Sequence, residues 1–158
     1  MKTSEKGVEF IAKMEGFEPF PYNDPAGHAT IGFGHLLHLG PVTDEDRLAW
    51  GAGGITVARG LELLRDDLVR VENVLEGLAR GARELLSQHE VDALASFTFN
   101  VGAAAFQKST LRGLVRDGHT QRVPEELLRW VYADGKRLPG LVKRRVLEAA
   151  IWVAGVYA

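Results

Sequence analysis

The chain contains no cysteine. Disulfide frameworks, thiolate metal sites and cysteine nucleophiles are therefore excluded. No apolar run approaches the roughly 18 residues of a membrane span, so stable membrane insertion is not expected. The opening residues, Met1-Lys2-Thr3-Ser4-Glu5-Lys6-Gly7, are polar and lack the apolar stretch of a secretory signal or signal anchor. An excess of one charge is also missing. The net charge of -2 over 158 residues disfavours a globally basic nucleic-acid binder. Charge is nevertheless uneven: residues 44–92 carry eleven acids and six bases, residues 93–148 five acids and ten bases. The basic region can attract an anionic polymer or be no more than a solvated helical face.

The composition that remains is 46% hydrophobic, enough for a sizeable core in one domain or in two small lobes that share it. Residues 4–14 read as a helix with Ser4 as N-cap and Phe10, Ile11 and Met14 on one face. Gly16 stops it and leaves Glu15 at its C-terminal end. Residues 17–40, rich in glycine, proline and aromatics, read as a small antiparallel sheet with a turn at Asp24-Pro25-Ala26-Gly27. Thr43-Asp44-Glu45-Asp46 starts a short helix as a capping box, and Gly51, Gly53 and Gly54 end it. From Thr56, the residues Leu61, Leu64, Leu68, Val71, Leu75 and Leu78 recur at helical spacing. Such a helix would be roughly 30 Å long and able to connect two lobes. A coiled-coil dimer is the competing reading, disfavoured by Gly60 near the start and Gly77 near the end. Ser87-Gln88-His89-Glu90 forms a second capping box before an apolar run, and further helices are predicted near 109–117, 124–133 and 141–157. Pro124 suits a first helical turn. The pattern predicts an α+β, mostly helical fold. A sheet lobe spans about 16–55 and a long connecting helix about 56–80. A helical bundle covers about 81–158 together with the N-terminal helix, all within one catalytic domain, 1–158.

Several residues could carry chemistry. A carboxylic acid that protonates a glycosidic oxygen must keep its proton near neutral pH, which partial burial favours. Glu15 lies among Met14, Gly16 and Phe17, and the C-terminal end of a helix dipole disfavours a surface carboxylate there. Taken singly, Asp24 reads as a turn residue that caps local backbone donors. Thr30 likewise reads as an ordinary β-branched strand residue, and His35 as a structural hydrogen-bonding histidine. The combination is more specific: Glu15, eight residues, Asp24, five residues, Thr30, then Gly32-Phe33-Gly34-His35. The histidines (His28, His35, His38, His89, His119) show no metal-ligand spacing, and neither a metal nor another cofactor is expected.

This set resembles the phage-type, T4-like lysozymes, the muramidase endolysins of glycoside hydrolase family 24. The likeness continues through Gln88 to Phe97, Phe99-Asn100-Val101-Gly102, Phe106, Ser109-Thr110-Leu111, Arg129-Trp130 and Leu138-Pro139-Gly140-Leu141 with Arg144-Arg145. It covers nearly the whole chain in order and implies a lysozyme-like two-lobed fold. By the resemblance, Glu15 matches the general acid, Asp24 and Thr30 the pair that holds the attacking water, and His35 a structural histidine near the acid. Asn100 lies where relatives carry an amide-bearing residue lining the glycan–peptide cleft. Arg144 or Arg145, between which the sequence does not choose, matches a residue reaching toward Glu15 or the wall peptide. The chain departs from its best-known relative at Asn100 and in the Pro-Gly-Leu turn, which bears on peptide-side specificity.

The implied substrate is bacterial peptidoglycan, cut at the β-1,4 bond between N-acetylmuramic acid and N-acetylglucosamine, with inversion. The resemblance also implies residence in the host bacterial cytoplasm until lysis, with release to the wall by a separate holin. A monomer is expected, because a lysozyme cleft must meet a polymer and no apolar repeat demands a partner. Inversion is what the resemblance favours; the carboxyl separation that decides it, the host range, cross-link preference, working temperature and oligomeric state are not legible in the sequence. A lytic transglycosylase would use Glu15 alone, without need of Asp24 and Thr30. An inactive wall-binding module would lack the acid. A helical nucleic-acid binder is disfavoured by the acidic 44–92 segment. The segment from Val142 to Ala158 is either a core helix with a basic first turn facing solvent or the cleft, or a membrane-perturbing amphipathic helix. Apolar residues around its whole circumference favour the core helix.

Overall fold

The structure is a computed structural model describing residues 1–51 and 53–157. Helix α1 (Glu5–Glu15) leads into three strands, β1 (Glu18–Asn23), β2 (Ala29–Gly32) and β3 (His35–His38). Helices α2 (Asp44–Ala49) and α3 (Val57–Ala79) follow, then α4 (Gln88–Val101), α5 (Ala103–Lys108) and α6 (Thr110–Arg116). A 3-10 turn (Thr120–Arg122) precedes α7 (Val123–Leu127), a minimal hairpin of β4 (Tyr132–Ala133) and β5 (Lys136–Arg137), and α8 (Pro139–Ala154). The α+β, mostly helical architecture is the one expected from the sequence. Ala52, between the glycines expected to end α2, and Ala158, the last residue of the amphipathic segment, lie outside the described residues.

The chain forms two compact units. One comprises Ile11–Asp67, the other Met1–Phe10 with Leu68–Ala158, so the division falls inside α1 and inside α3. The sheet unit holds an antiparallel sheet in the order β1-β2-β3. Its central strand, β2, is bonded on both sides and buried at every position, so both of its faces are covered. Pro19 and Pro21 have no N–H to give a ladder, which confines β1 to an edge, and the pairing register shifts between Glu18 and Tyr22. Gly60 of α3 lies against the ring pair Phe17–Phe33, whose centroids are 5.1 Å apart; a Cβ at Gly60 would stand 2.8 Å from the Phe17 ring.

In the helical unit, eight consecutive residues of α4, Val91 through Thr98, are buried. Such a helix has no solvent face over that stretch and must be surrounded. α8 packs on both α4 and α7. Phe97 lies edge-on to Phe106 and Trp130, with centroids 6.3 and 5.2 Å away. The long helix buries Leu64, Leu68, Val71, Leu75 and Leu78 within its own chain, so the leucine periodicity reports a core and not a zipper.

Three local expectations need correction. The helix expected over 124–133 ends at Leu127, and the chain turns into the β4–β5 hairpin. Asp134 and Gly135 both have positive φ there, 49° and 73°, the two-residue turn for which Asp-Gly is a strong signal. A further helix, α5, follows α4 after Gly102 (φ 87°). The last helix starts at Pro139, where a first-turn proline loses no helical bond, and stops at Ala154 before the left-handed Gly155.

Candidate active site

Glu15 is the last residue of α1, and Gly16 (φ 76°) turns the chain out of the helix. The half-buried side chain of Glu15 lies over the β2–β3 turn, where a Cβ on Gly34 would stand 3.7 Å from its Oε2. A glycine there (φ 81°) lets the backbone pass beneath the carboxylate. The next residue, His35, bonds through Nδ1 to Asp67 Oδ2 on α3 at 2.9 Å, which ties β3 to the helix beside Glu15.

Asp24 follows β1 in the turn. Its backbone N–H donates to His28 O at 2.9 Å, and its Oδ1 accepts from the backbone N–H of Ala26 (2.9 Å) and of His28 (2.8 Å). The capping role expected of a turn aspartate is therefore real, but it uses one oxygen. Among the described residues, no hydrogen bond reaches Oδ2. Thr30, 3% exposed in β2, donates its hydroxyl to His28 O at 3.0 Å. That bond uses the hydroxyl proton and leaves an oxygen lone pair able to accept.

Tyr22 stands opposite Thr30 in the β1–β2 register. Burial raises its phenol above the ordinary 10.0, and the charges of Glu15, Glu18 and Asp24 raise it further. The tyrosine thus samples the field of both the Glu15 and Asp24 carboxylates. Sequence reasoning assigned no role to Tyr22 or to His28. The signal was the strand register, which places Tyr22 beside Thr30, and this is visible only after pairing.

Asn100, Arg144 and Arg145 lie together in the helical unit. Arg145, fully buried, donates to Glu148, to Asn100 Oδ1 and to the carbonyl of Trp130, and its guanidinium stacks 4.8 Å from the Phe97 centroid. Arg144 donates to Glu148 Oε1 and to Ser96 O, both at 3.1 Å. Ser96 Oγ donates to the same carboxylate at 2.6 Å. The expectation of a solvent- or cleft-facing basic first turn for α8 is thus met only by the exposed Lys143, because Arg144 and Arg145 are drawn inward by Glu148. No group of three or more described His, Asp or Glu side chains is placed to hold a metal ion.

The family profile described as phage lysozyme matches residues 12–148. The chain belongs to the phage lysozyme family. The chain is 32% identical over 157 residues to the endolysin of Bacillus phage PZA, covering 98% of this chain and 56% of that protein, so it spans about half of that relative's length. It is 34% identical over 158 residues to the endolysin of Acyrthosiphon pisum secondary endosymbiont phage 1, covering 96% of this chain and 98% of that one. Among solved structures, a P22 lysozyme mutant superposes with a TM-score of 0.79 at 33% identity, over 98% of this chain and 99% of the other. This phage lysozyme family member carries the glutamate, aspartate and threonine of its N-terminal half inside the matched segment.

Proposed function

We propose that this family member is a muramidase endolysin, a glycoside hydrolase acting as one catalytic domain over 1–158. Its substrate is the β-1,4 bond between N-acetylmuramic acid and N-acetylglucosamine in bacterial peptidoglycan. The division of labour at Asp24 carries the reading: Oδ1 is held by the turn, while Oδ2 accepts no bond among the described residues. Glu15 protonates the leaving glycosidic oxygen as an oxocarbenium-like sugar develops. A water donates one hydrogen to Asp24 Oδ2 and the other to Thr30 Oγ1, so its lone pair faces the anomeric carbon. As the C–O bond forms, Asp24 takes the water's proton. Attack from the face opposite the leaving group inverts the anomeric centre, which requires roughly 6.5–9.5 Å between the two carboxyl groups. Tyr22 borders this site, and His35, held by Asp67, steadies the strand next to the acid. Asn100, presented by Arg145, meets the peptide side of the substrate.

The wider reading is a monomer that binds no nucleic acid, does not insert stably in a membrane and takes no cofactor. It stays in the host cytoplasm until a separate holin opens the inner membrane. No helix of the described residues is long and apolar enough to cross a membrane.

Mass spectrometry of digested, purified peptidoglycan tests the core of this proposal. Wild type yields reducing muramic-acid ends, and Glu15→Gln yields none above background. General acid catalysis contributes on the order of 10²–10⁴-fold, so the mutant's loss should be of that size. Anhydro-muramic ends would make the protein a transglycosylase and return Asp24 and Thr30 to structural roles. No cleavage by wild type would leave a wall-binding module.

A further inference from the structure

His28 sits between the two residues assigned to the water and touches both. Its backbone N–H donates to Asp24 Oδ1 at 2.8 Å, and its carbonyl accepts from Asp24 N–H at 2.9 Å and from the Thr30 hydroxyl at 3.0 Å. One peptide segment therefore aims the Asp24 carboxylate and the Thr30 oxygen together. Gly27 N–H also donates to Asp24 O at 2.8 Å, but Pro25, Ala26 and Gly27 are all exposed, so these bonds close the turn on itself without tying it to the rest of the sheet unit.

The side chain supplies the missing anchor. The backbone N–H of Gly40 points at His28 Nδ1 from 3.0 Å. A backbone N–H can only donate, so Nδ1 must be the unprotonated acceptor and the ring proton must lie on Nε2. Gly40 returns a second bond, accepting at its carbonyl from Ala29 N–H at 2.8 Å. Two residues further on, Val42 N–H donates to Asn23 Oδ1 at 2.7 Å. The segment 40–42 thus braces the Asp24 turn from both flanks, through His28 on one side and Asn23 on the other.

We infer that His28 is a positioning residue for the hydrolytic water: its neutral Nε2–H imidazole, by accepting from Gly40 N–H, holds the peptide segment that orients Asp24 and Thr30. This rests on the assignment of Asp24 and Thr30 made above. The side chain itself touches neither substrate nor water. Loss of the ring acceptor leaves Gly40 N–H without its partner, and the 40–42 brace then holds the turn only through Ala29 and Asn23, no longer through His28. A displacement near 1 Å at a reacting group costs about 10²-fold in rate.

Nitrogen-15 NMR of the full chain at about pH 8.5, above the ordinary imidazole range, reads the tautomer directly. An Nε2–H tautomer with slowed exchange at the Gly40 amide is expected; an Nδ1–H tautomer overturns the inference. In turnover on soluble peptidoglycan fragments, His28→Leu loses about 10²-fold in kcat with little change in apparent KM. His28→Asn, whose Oδ1 occupies the Nδ1 position, recovers most of that loss, whereas His28→Gln, with its acceptor one bond further out, does not. A His28→Leu variant that keeps wild-type kcat, or a His28→Asn variant as slow as His28→Leu, sinks the idea. If His28→Leu does not fold, the tautomer and the Asn-against-Gln comparison decide alone. Asp24→Asn and Thr30→Val in the same assay separate the two levels. Wild-type rates in both would remove the water assignment itself, whereas slow rates there beside a fast His28→Leu would remove only the role of His28.

Discussion

In the proposed assignment, Asp24 divides its carboxylate between structure and chemistry, and the two halves can be separated by one atom. In Asp24→Asn, the retained Oδ1 still accepts from Ala26 and His28 N–H. The new amide nitrogen replaces Oδ2 and can no longer take a proton from water. The turn should therefore survive while activity falls. Loss of a general base predicts a drop in kcat of roughly 10²–10⁴-fold, with the thermal midpoint within a few degrees of wild type by circular dichroism. A remnant of activity would reflect water still bound by Thr30. A large loss of stability would instead show that the aspartate serves only the turn. The pattern Glu15…Asp24…Thr30 was legible in the sequence because all three lie within sixteen residues on consecutive elements. His28 and Tyr22 were not, because their significance depends on which backbone groups and which strand face them.

At the scale of elements, α2 has no buried residue and relies on its cap. Asp46 accepts from the backbone and hydroxyl of Thr43, both at 2.7 Å, and from His38 Nε2 on β3 at 2.9 Å. The backbone bond from Thr43, then its hydroxyl, then His38 hold the Asp46 carboxyl down at about 2. His38 is raised above 6.5, first by its bond to Asp46 and then by its bond to the Leu39 carbonyl. A lowered acid stabilises fully above its unfolded value of 3.8 and loses that contribution as pH falls toward 2. A raised histidine stabilises fully below 6.5 and loses its contribution as pH climbs through the raised value. The clasp is therefore complete between these limits. Amide exchange in α2 should be slowest between about pH 4 and 6.5 and quicken on either side after correction for intrinsic rates. A flat profile in His38→Gln on the alkaline side would assign that limb to the histidine.

Gly60 offers a second test at this scale. An alanine there gains helix propensity, at most about 1 kcal/mol. Its Cβ meets Phe17 at 2.8 Å and Phe33 at 3.2 Å, and overpacking of this kind costs about 1–3 kcal/mol. The two rings pack on each other and cannot both withdraw, so Gly60→Ala should destabilise the protein in urea titration. Stabilisation would mean that the ring pair repacks freely.

For the whole molecule, the buried ion network around Glu148 is the most consequential polar feature. Arg144, Arg145 and Ser96 all donate to a carboxylate with no exposed surface. These residues come from α4 and α8, so the network joins the two central helices of the unit. Removing one partner of a buried pair leaves an uncompensated charge, at a cost of about 3–5 kcal/mol. Glu148→Ala should lower the unfolding free energy by that amount, measured by urea denaturation, and should lower activity only in proportion to the unfolded fraction. A loss of activity in fully folded protein would instead tie the arginine pair and Asn100 directly to substrate.

Local patterns sufficed for much of this chain. The capping boxes at Thr43 and Ser87, the helix stop at Gly16 and the leucine spacing of α3 each depend on neighbours within a few residues, so they were readable before any contact was known. The acid, the turn aspartate and the strand threonine belong to the same class, being fixed by short spacings along consecutive elements. The short β4–β5 hairpin was hidden because helical periodicity around Trp130 outweighed its Asp134-Gly135 turn. The inward fate of Arg144 and Arg145 was hidden for a different reason. Charge read along a helix predicts solvent exposure; Glu148 lies on the same helix, and only the arrival of Ser96 and Asn100 from α4 completes the partners that burial requires. The sequence by itself determined the elements and the chemical groups. Tertiary structure alone decided that the His28 ring meets the Gly40 N–H and that Arg144 and Arg145 face the core, because the Gly40 amide, Ser96, Asn100 and the Trp130 carbonyl reach them from separate elements.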